Sequence, residues 1–203
     1  MSFPPPAPGT AGYAEAADQL AQQYESVSFT DVYSDFARFV PLDPSNVLDI
    51  GAGSGRDAAA MAAFGHRVVA VEPTAELREL AQQIHPHPSI EWIDDSLPGL
   101  PNVRARDRQF DLVLMTAVWM HLDEAERRQA LPVVASLLAP GGRILLSLRH
   151  GPVPDGRRMF DVPAEELVNE AEPLGLSLLA RKEREDMLGR DQVRWTLLAL
   201  TKA

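Results

Sequence analysis

Short apolar runs alternate with helix-forming segments along most of the chain, and this alternation predicts strands and helices in turn. The run Arg67–Val71 is apolar almost throughout and is followed by Glu72, as expected of a parallel strand buried on both faces. Gly65 ends the helix before this strand, and Thr74 caps the helix after it. The same reasoning predicts central strands at residues 46–50, 67–71, 90–93, 110–115 and 143–148, helices at 54 or 56–64, 74–84 and 123–138, and a loop at 99–109.

The carboxyl-terminal part of the chain continues this pattern. A polar loop at 149–162 and a short helix at 163–171 precede two further apolar runs, at 176–181 and 193–201. Strands that alternate with helices and then end in a strand pair predict an α/β fold. We therefore expect a doubly wound sheet with helices on both faces, an α/β/α sandwich.

The amino-terminal part lacks strands. Residues 1–12 are rich in proline, glycine and alanine and carry no core pattern, which predicts a flexible leader. The segment that follows is rich in alanine, glutamate and glutamine and favours a helix. Between Phe29 and Val40 apolar residues recur at spacings of three and four, which predicts an amphipathic helix. We expect one domain over residues 13–203, with residues 13–45 forming N-terminal helices before the first strand.

Composition limits the possible classes of function. A chain of 203 residues with 45% hydrophobic and 24% charged residues is ordinary for one globular domain. The absence of cysteine excludes disulfides and thiolate metal sites. His85 and His87 are separated by a proline and have no second pair of ligands, so we expect a surface turn and no metal site. No signal sequence or membrane-spanning run is apparent, and a cytoplasmic protein is the expectation.

The formal net charge of −10 is unevenly distributed along the chain. Residues 1–100 hold 14 acidic residues against 4 arginines, whereas residues 101–203 hold 15 acidic and 15 basic residues. An acidic half repels polyanions, so we expect neither DNA nor RNA as a substrate. The sequence leaves the oligomeric state open.

A glycine turn is the most informative stretch. Asp49-Ile50-Gly51-Ala52-Gly53-Ser54-Gly55 places glycine at every second position between a predicted strand and a predicted helix. Such a turn presents backbone N–H groups and open space to a ligand. A dinucleotide fingerprint would need a glycine at Arg56, and a phosphate loop would end in Gly-Lys-Ser/Thr, so neither motif is present. The pattern Asp-x-Gly-x-Gly-x-Gly resembles the first motif of class I S-adenosylmethionine-dependent methyltransferases.

The resemblance covers residues 46–150 closely and residues 151–203 in element order only. It implies a seven-stranded, mostly parallel sheet of order 3-2-1-4-5-7-6 with strand 7 antiparallel. It also implies S-adenosylmethionine as the cofactor, S-adenosylhomocysteine as the product, and in-line transfer of a methyl group to a small-molecule acceptor. The motif Asn/Asp-Pro-Pro-Tyr/Phe of nucleic-acid amino methylases is absent after strand 4, where Met115-Thr116-Ala117-Val118 stands instead.

The resemblance places cofactor contacts at the ends of four strands. Asp49 would anchor the ammonium group of the methionine part, and Glu72 would accept hydrogen bonds from both ribose hydroxyls. Asp95 is preferred to Asp94 for the adenine amino group, with the Ser96 N–H directed to the ring, although the spacing leaves both aspartates open. The expected cofactor contacts are Asp49, Gly51, Ala52, Gly53, Glu72, Pro73, Asp95, Ser96, Met115 and Thr116.

Acceptor contacts are expected after strand 4 and in residues 13–45, whose helices, the resemblance implies, form a lid over the cofactor. Many small-molecule members of the family carry a histidine at the position of His121, which either acts as a base or only hydrogen-bonds at the next helix start. Trp119 is expected to shape the acceptor pocket. Tyr24 is the candidate lid residue, whereas Tyr33 is expected to pack the lid helices against the core.

Arginines follow strand 5 at the same edge of the sheet. Arg149 should border the acceptor pocket, and arginine binds a carboxylate or phosphate through paired hydrogen bonds. A small anionic acceptor is therefore one hypothesis. Arg157 and Arg158 either contribute to it, form a solvated loop tip, or pair with Asp155 and Asp161.

Two other classes of function compete with a methyltransferase. A non-catalytic cofactor-binding or partner protein of the same fold would share every motif above, because acceptor pockets vary freely within a fold. A nicotinamide-dependent oxidoreductase is disfavoured by Arg56 and by the lack of a second, substrate-bearing domain.

Overall fold

The computed structural model describes residues 7–203 and contains one sheet of seven strands. The strands are β1 (Asn46–Ile50), β2 (Arg67–Val71), β3 (Ile90–Ile93), β4 (Phe110–Met115), β5 (Leu138–His150), β6 (Leu176–Glu185) and β7 (Arg194–Lys202). They lie in the order β3-β2-β1-β4-β5-β7-β6. Strands β1 to β5 pair in parallel, and β7 runs antiparallel between β5 and β6. The predicted fold and strand order are confirmed.

Seven helices of α type flank the sheet in the described part of the chain. They are α1 (Ala17–Glu25), α2 (Phe29–Tyr33), α3 (Arg56–Ala63), α4 (Ala75–Ile84), α5 (Pro101–Arg104), α6 (Glu124–Leu137) and α7 (Ala164–Ala171). Short 3₁₀ helices lie at Pro8–Thr10, Ser34–Phe39, Trp119–His121 and Glu172–Leu174. In the described residues no helix is long and apolar enough to cross a lipid bilayer.

Three predicted elements differ from the structure. The predicted helix over 29–40 is divided into α2 and a 3₁₀ helix. The predicted loop 99–109 contains α5. This helix begins at Pro101, and the Asp95 carboxylate accepts hydrogen bonds from two of its backbone N–H groups. Strand β5 extends beyond the predicted 143–148 at both ends, because it pairs with β4 at Leu138 and with β7 as far as His150.

The sheet is buried on both faces, as the apolar runs predict. Leu48 and Ile50 of β1 belong to one core cluster, and Val47, which precedes Leu48, belongs to the other. Because apolar side chains of the strands occupy both faces of the sheet, the polar side chains lie at the carboxyl ends of the parallel strands. Open α/β sheets bind ligands at this edge.

The amino-terminal residues lie over this carboxyl edge. Tyr33 is fully buried in the core cluster of α2 and the sheet. Residues 1–6 of the predicted leader lie outside the described residues, and its described part, residues 7–12, contacts the loop after β5 through Ala11 and Arg157. The flexibility of the leader stays a prediction.

Candidate functional site

A cavity of about 500 Å³ opens at the carboxyl edge of the sheet. This volume lies in the range of small-molecule and cofactor sites. Its wall is formed by the amino-terminal segment, α1, the ends of the parallel strands and the connection between β6 and β7. Twelve of the fourteen residues predicted for the site line it: Asp49, Gly51, Ala52, Gly53, Glu72, Pro73, Asp95, Ser96, Thr116, Tyr24, His121 and Arg149.

The remaining two predicted residues are core residues. Met115 and Trp119 are fully buried and belong to the apolar cluster beneath the cavity. The 3₁₀ turn at Trp119–His121 directs the indole inward, while Met120 and His121 line the cavity. Trp119 therefore supports the pocket floor and does not shape its wall.

The glycine turn is held by Glu72. One carboxylate oxygen of Glu72 accepts the N–H of Gly53 at 2.9 Å, and the other accepts the N–H of Thr74 at 2.8 Å. Burial raises the pKa of Glu72, and these hydrogen bonds oppose the rise. At Gly51, φ is +69° and a Cβ would come within 2.5 Å of Val118, so that only glycine fits without a shift.

Asp49 and Arg184 each leave a buried polar atom of the cavity wall without a hydrogen-bond partner in the described residues. Asp49 is 1% exposed, and the atom concerned is its Oδ2. Burial raises the pKa of Asp49 well above its ordinary value, and the neighbouring carboxylates of Asp57 and Glu72 add to the rise. Arg56 is the cation that opposes it. The β1 end of the cavity therefore holds three buried carboxylates, with Arg56 opposing the charge of Asp49 and Arg78 opposing that of Glu72.

Arg56 also joins the glycine turn to the lid helices. Its Nη1 donates to the carbonyl oxygens of Tyr24 and Val27, at 3.3 and 3.4 Å. Ser54 donates to the Glu25 carboxylate at the end of α1, at 2.6 Å. The Tyr24 ring lies directly over Gly53. These contacts close the cavity above the glycine turn, which is the position predicted for a lid.

The two aspartates after β3 have different roles. Asp94 is exposed and does not line the cavity, whereas Asp95 is 7% exposed and does. Asp95 Oδ2 accepts the backbone amides of Asn102 and Val103 at 2.8 and 2.9 Å, which fixes the start of α5. Its Oδ1 accepts the Ser96 N–H at 2.8 Å. The Ser96 N–H is thus engaged by Asp95, contrary to the expectation that it faces a ligand.

The end of β4 carries a hydroxyl chain. Thr116 donates to Asp57 Oδ2 at 2.6 Å, so the Tyr33 hydroxyl, at 2.5 Å, donates to Thr116. Ala117 follows with φ of +58° and donates its N–H to Ser147 at 2.9 Å. This chain links the lid, the glycine turn and the sheet through buried hydrogen bonds.

His121 is held in one tautomer. Its Nδ1 lies 2.9 Å from the Arg158 carbonyl oxygen, which only accepts, so Nδ1 carries the proton. Burial and nearby arginines lower the pKa of His121, and the neutral ring leaves Nε2 as an acceptor. The hydroxyl of Tyr13 lies 3.0 Å from Nε2 and donates to it. Tyr13 and His121 therefore form a hydrogen-bonded pair in the cavity wall.

Arginines collect at the β5 end of the cavity. Arg149 is 7% exposed, and its one hydrogen bond in the described residues is a long one, 3.4 Å, to the Gly151 carbonyl oxygen. The guanidinium of Arg157 lies 3.9 Å from the centre of the Tyr13 ring. Arg157, for which a solvated loop tip is one of the alternatives above, thus lines the cavity wall.

The connection between β6 and β7 adds a salt bridge that the sequence does not predict. Arg190 contacts Asp186 through two nitrogens, at 2.6 and 3.0 Å, and the Trp195 indole donates to Asp186 at 2.8 Å. Tyr13 was missed as well. No sequence spacing connects these residues to the glycine turn, because only the return of β7 beside β5 and the fold-back of the amino terminus bring them to the cavity.

Sequence comparisons identify relatives of the glycine-turn region. Residues 47–142 match the family model described as "Methyltransferase domain". An uncharacterized methyltransferase of Anoxybacillus flavithermus is 27% identical over 66% of this chain and 66% of its own length. A demethylmenaquinone methyltransferase of Clavibacter sepedonicus is 30% identical over 60% of this chain and 49% of its own length. The chain spans less than two thirds of these curated relatives.

Solved structures share the whole fold. A Burkholderia thailandensis 1,6-didemethyltoxoflavin N1-methyltransferase, with 1,6-didemethyltoxoflavin and S-adenosylhomocysteine bound, superposes with a TM-score of 0.64 and 21% identity. It covers 100% of this chain, which covers 93% of it. The N-methyltransferase NodS of Bradyrhizobium japonicum, with S-adenosylhomocysteine, gives 0.71 and 16% identity over 93% of this chain and 97% of its own.

The hydrogen bonds of Asp95 predict a stability difference between neighbouring aspartates. Asp95→Ala should lower the free energy of unfolding by about 1–2 kcal/mol, because α5 loses its capping carboxylate. Asp94→Ala should change it by less than about 0.5 kcal/mol, since that side chain is exposed. Urea unfolding followed by circular dichroism measures both. Equal losses for the two variants would show that Asp95 does not fix α5.

Proposed function

We propose that this chain, whose residues 47–142 match the family model described as "Methyltransferase domain", transfers a methyl group from S-adenosylmethionine to a small-molecule acceptor in this cavity. The observation that carries the proposal is the unpartnered buried oxygen of Asp49 beside the glycine turn. When bound, the cofactor supplies an electrophilic methyl group on a sulfonium, and the protein supplies alignment and exclusion of water.

The charge at the β1 end fits this cofactor. Three buried carboxylates face Arg56 and Arg78, and a ligand with an ammonium group and a sulfonium would offset the remaining negative charge. Asp49 Oδ2 has a free acceptor position for the ammonium group. The glycine turn allows close approach of a ligand beside it.

The two oxygens of Glu72 are suited to bind the ribose hydroxyls of the cofactor. Each of its oxygens accepts one backbone N–H and keeps a second lone pair for a hydroxyl. Asp95 Oδ1 likewise accepts one N–H and retains a lone pair for the adenine amino group. Pro73, Ala52 and Thr116 complete this part of the wall. A cofactor held in this way extends from β3 to β1.

The acceptor is a small molecule on this proposal. The cavity has a volume of about 500 Å³, which suits a cofactor and a small acceptor. The Burkholderia neighbour holds a small heterocyclic acceptor in the corresponding fold. The net charge of −10 argues against polyanionic nucleic acid as the acceptor.

Tyr13 and His121 provide a route for the acceptor proton. An acceptor X–H group donates to the Tyr13 oxygen, which itself donates to His121 Nε2. The bound cofactor would supply the electrophilic methyl group and take up the electrons of its carbon–sulfur bond, and Tyr13 would accept the X–H proton as X is methylated. The Tyr13 proton then moves to His121, which becomes an imidazolium. His121 thus acts through Tyr13, and Arg158 fixes its ring.

Turnover tests the proposal directly. The protein, given S-adenosylmethionine with a tritiated methyl group and a small-molecule metabolite extract, should release S-adenosylhomocysteine and label the small-molecule fraction. Total RNA or DNA in place of the extract should remain unlabelled. Binding of S-adenosylhomocysteine without any transfer to the extract would instead identify a non-catalytic cofactor-binding protein.

The raised pKa of Asp49 predicts a pH-dependent affinity for S-adenosylhomocysteine. The ammonium group requires the ionised carboxylate, so affinity should rise with pH, by up to about tenfold per unit, between the ordinary pKa of 3.8 and the raised value. Asp49→Asn should weaken binding about 10- to 100-fold and flatten this dependence. Calorimetry over a pH series measures both effects, with Asp94→Asn as the control. A wild-type affinity independent of pH would contradict the role of Asp49.

The same variant has an opposite effect on the ligand-free protein. A carboxyl with a raised folded-state pKa binds its proton more tightly when folded, so the wild type loses stability as pH rises above 3.8. Asp49→Asn should lack this loss and unfold at a higher temperature at neutral pH. A lower melting temperature would indicate that Asp49 is a structural residue.

Tyr13 and His121 can be tested by variants that preserve the structural contacts. His121→Asn keeps a donor for the Arg158 carbonyl oxygen but removes the base, and Tyr13→Phe removes only the hydroxyl. Both should lower kcat about 100-fold with little change in cofactor affinity. The wild-type rate should fall only below pH 6.5, since the pKa of His121 is lowered. A His121→Asn rate equal to wild type would assign His121 a structural role.

A further inference from the structure

Two arginines at the β5 end of the cavity lack carboxylate partners. Among residues 7–203, Arg149 and Arg157 form no ion pair within 4.0 Å, and their hydrogen bonds go to the carbonyl oxygens of Gly151 and Ala11. Both side chains line the cavity. Arg149 is 7% exposed, so its charge is largely removed from solvent.

The neighbouring arginines differ from this pair because their charges are balanced. Arg158 contacts Asp123 and Glu126, at 2.8 and 2.7 Å. Arg190 contacts Asp186 through two nitrogens, and this carboxylate also accepts the indole N–H of Trp195. The acids at this end of the cavity are therefore already engaged.

An uncompensated guanidinium in a buried wall is energetically unfavourable, because it has lost water without gaining a counter-ion. The groups that act on Arg149 are Arg190, Asp186 and Tyr13, and burial together with Arg190 lowers its pKa. A site that keeps such a charge gains most from a ligand that supplies an anion.

The cavity is consequently polarised across the sheet. Asp49 lies on β1 opposite Leu114 of β4, and Leu114 pairs with Leu145 of β5. Arg149 is therefore two strands away, about 10 Å across the sheet, and four residues further along β5. Negative charge gathers at the β1 end and positive charge at the β5 end. A cationic cofactor and an anionic acceptor would each meet opposite charge.

We propose that the acceptor carries a carboxylate or phosphate group that binds to Arg149, with Arg157 as a second cation. The inference rests on the proposed function, since it assigns the β5 end to the acceptor. Met120, Met159 and Trp195 line the cavity there and would contact an apolar or aromatic body. The anion places the acceptor with its nucleophile beside Tyr13, over whose ring Arg157 lies at 3.9 Å.

The test uses matched pairs of fragments that differ only in charge. Protein saturated with S-adenosylhomocysteine is titrated with benzoate and benzamide, indole-3-acetate and its amide, and phenyl phosphate and phenol, followed by saturation-transfer NMR. At least one anion should bind ten times more tightly than its neutral partner. Equal binding within every pair would overturn the proposal.

Variants then locate the charge. Arg149→Met should abolish the preference for the anion, and Arg157→Met should reduce it about threefold to tenfold. Arg143→Met is the matched control, because Arg143 lies on the same strand and donates to the Phe39 carbonyl oxygen at 2.9 Å, away from the cavity. A preference that survives Arg149→Met, or one that Arg143→Met also removes, would contradict the assignment.

The cofactor also carries a carboxylate, and its affinity distinguishes the two sources of the anion. Arg149→Met should bind S-adenosylhomocysteine within about twofold of the wild type. A tenfold loss would assign Arg149 to the cofactor and overturn this inference while leaving methyl transfer intact. Failure of the wild type to bind S-adenosylhomocysteine would instead overturn the proposed function itself.

Discussion

A buried carboxylate without a partner is the constraint on which the site depends. Asp49 follows two fully buried strand residues, and its Oδ2 meets no donor among residues 7–203. Asp57 and Glu72 are buried beside it, and Arg56 is the cation that opposes the charge of Asp49. The ligand-free protein therefore retains an electrostatic cost at this point, which a cationic ligand would remove.

The neighbouring side chains do not fully offset this electrostatic cost, because they are engaged in other hydrogen bonds. The glycine turn holds Glu72 through a backbone N–H, and Arg56 is shared between Asp57 and the carbonyl oxygens of the lid. The glycine turn, the amino-terminal helix α1 and the helix α3 are thus linked through one group of hydrogen bonds. The opposite end of the cavity carries the complementary charge of Arg149, so one cavity presents two distinct electrostatic surfaces.

The sequence predicts the strands well, because a strand buried on both faces requires an unbroken apolar run such as residues 68–71 of β2. The strand order came from the family resemblance. Local patterns do not predict α5, since its start depends on a carboxylate six residues earlier, that of Asp95. Residues at strand ends, such as Glu72, follow from topology. Contacts across the chain, such as Tyr13 with His121, do not, because 108 residues separate them and only the folded chain joins them.

The structure of the complex with S-adenosylhomocysteine tests the central claim most directly. In this complex the ammonium nitrogen should lie within hydrogen-bond distance of Asp49 Oδ2, about 2.7–3.2 Å. Both ribose hydroxyls should lie on Glu72, and the sulfur should be directed toward Tyr13. A complex in which Asp49 Oδ2 remains unpartnered, or in which the ligand lies outside the glycine turn, would contradict the account.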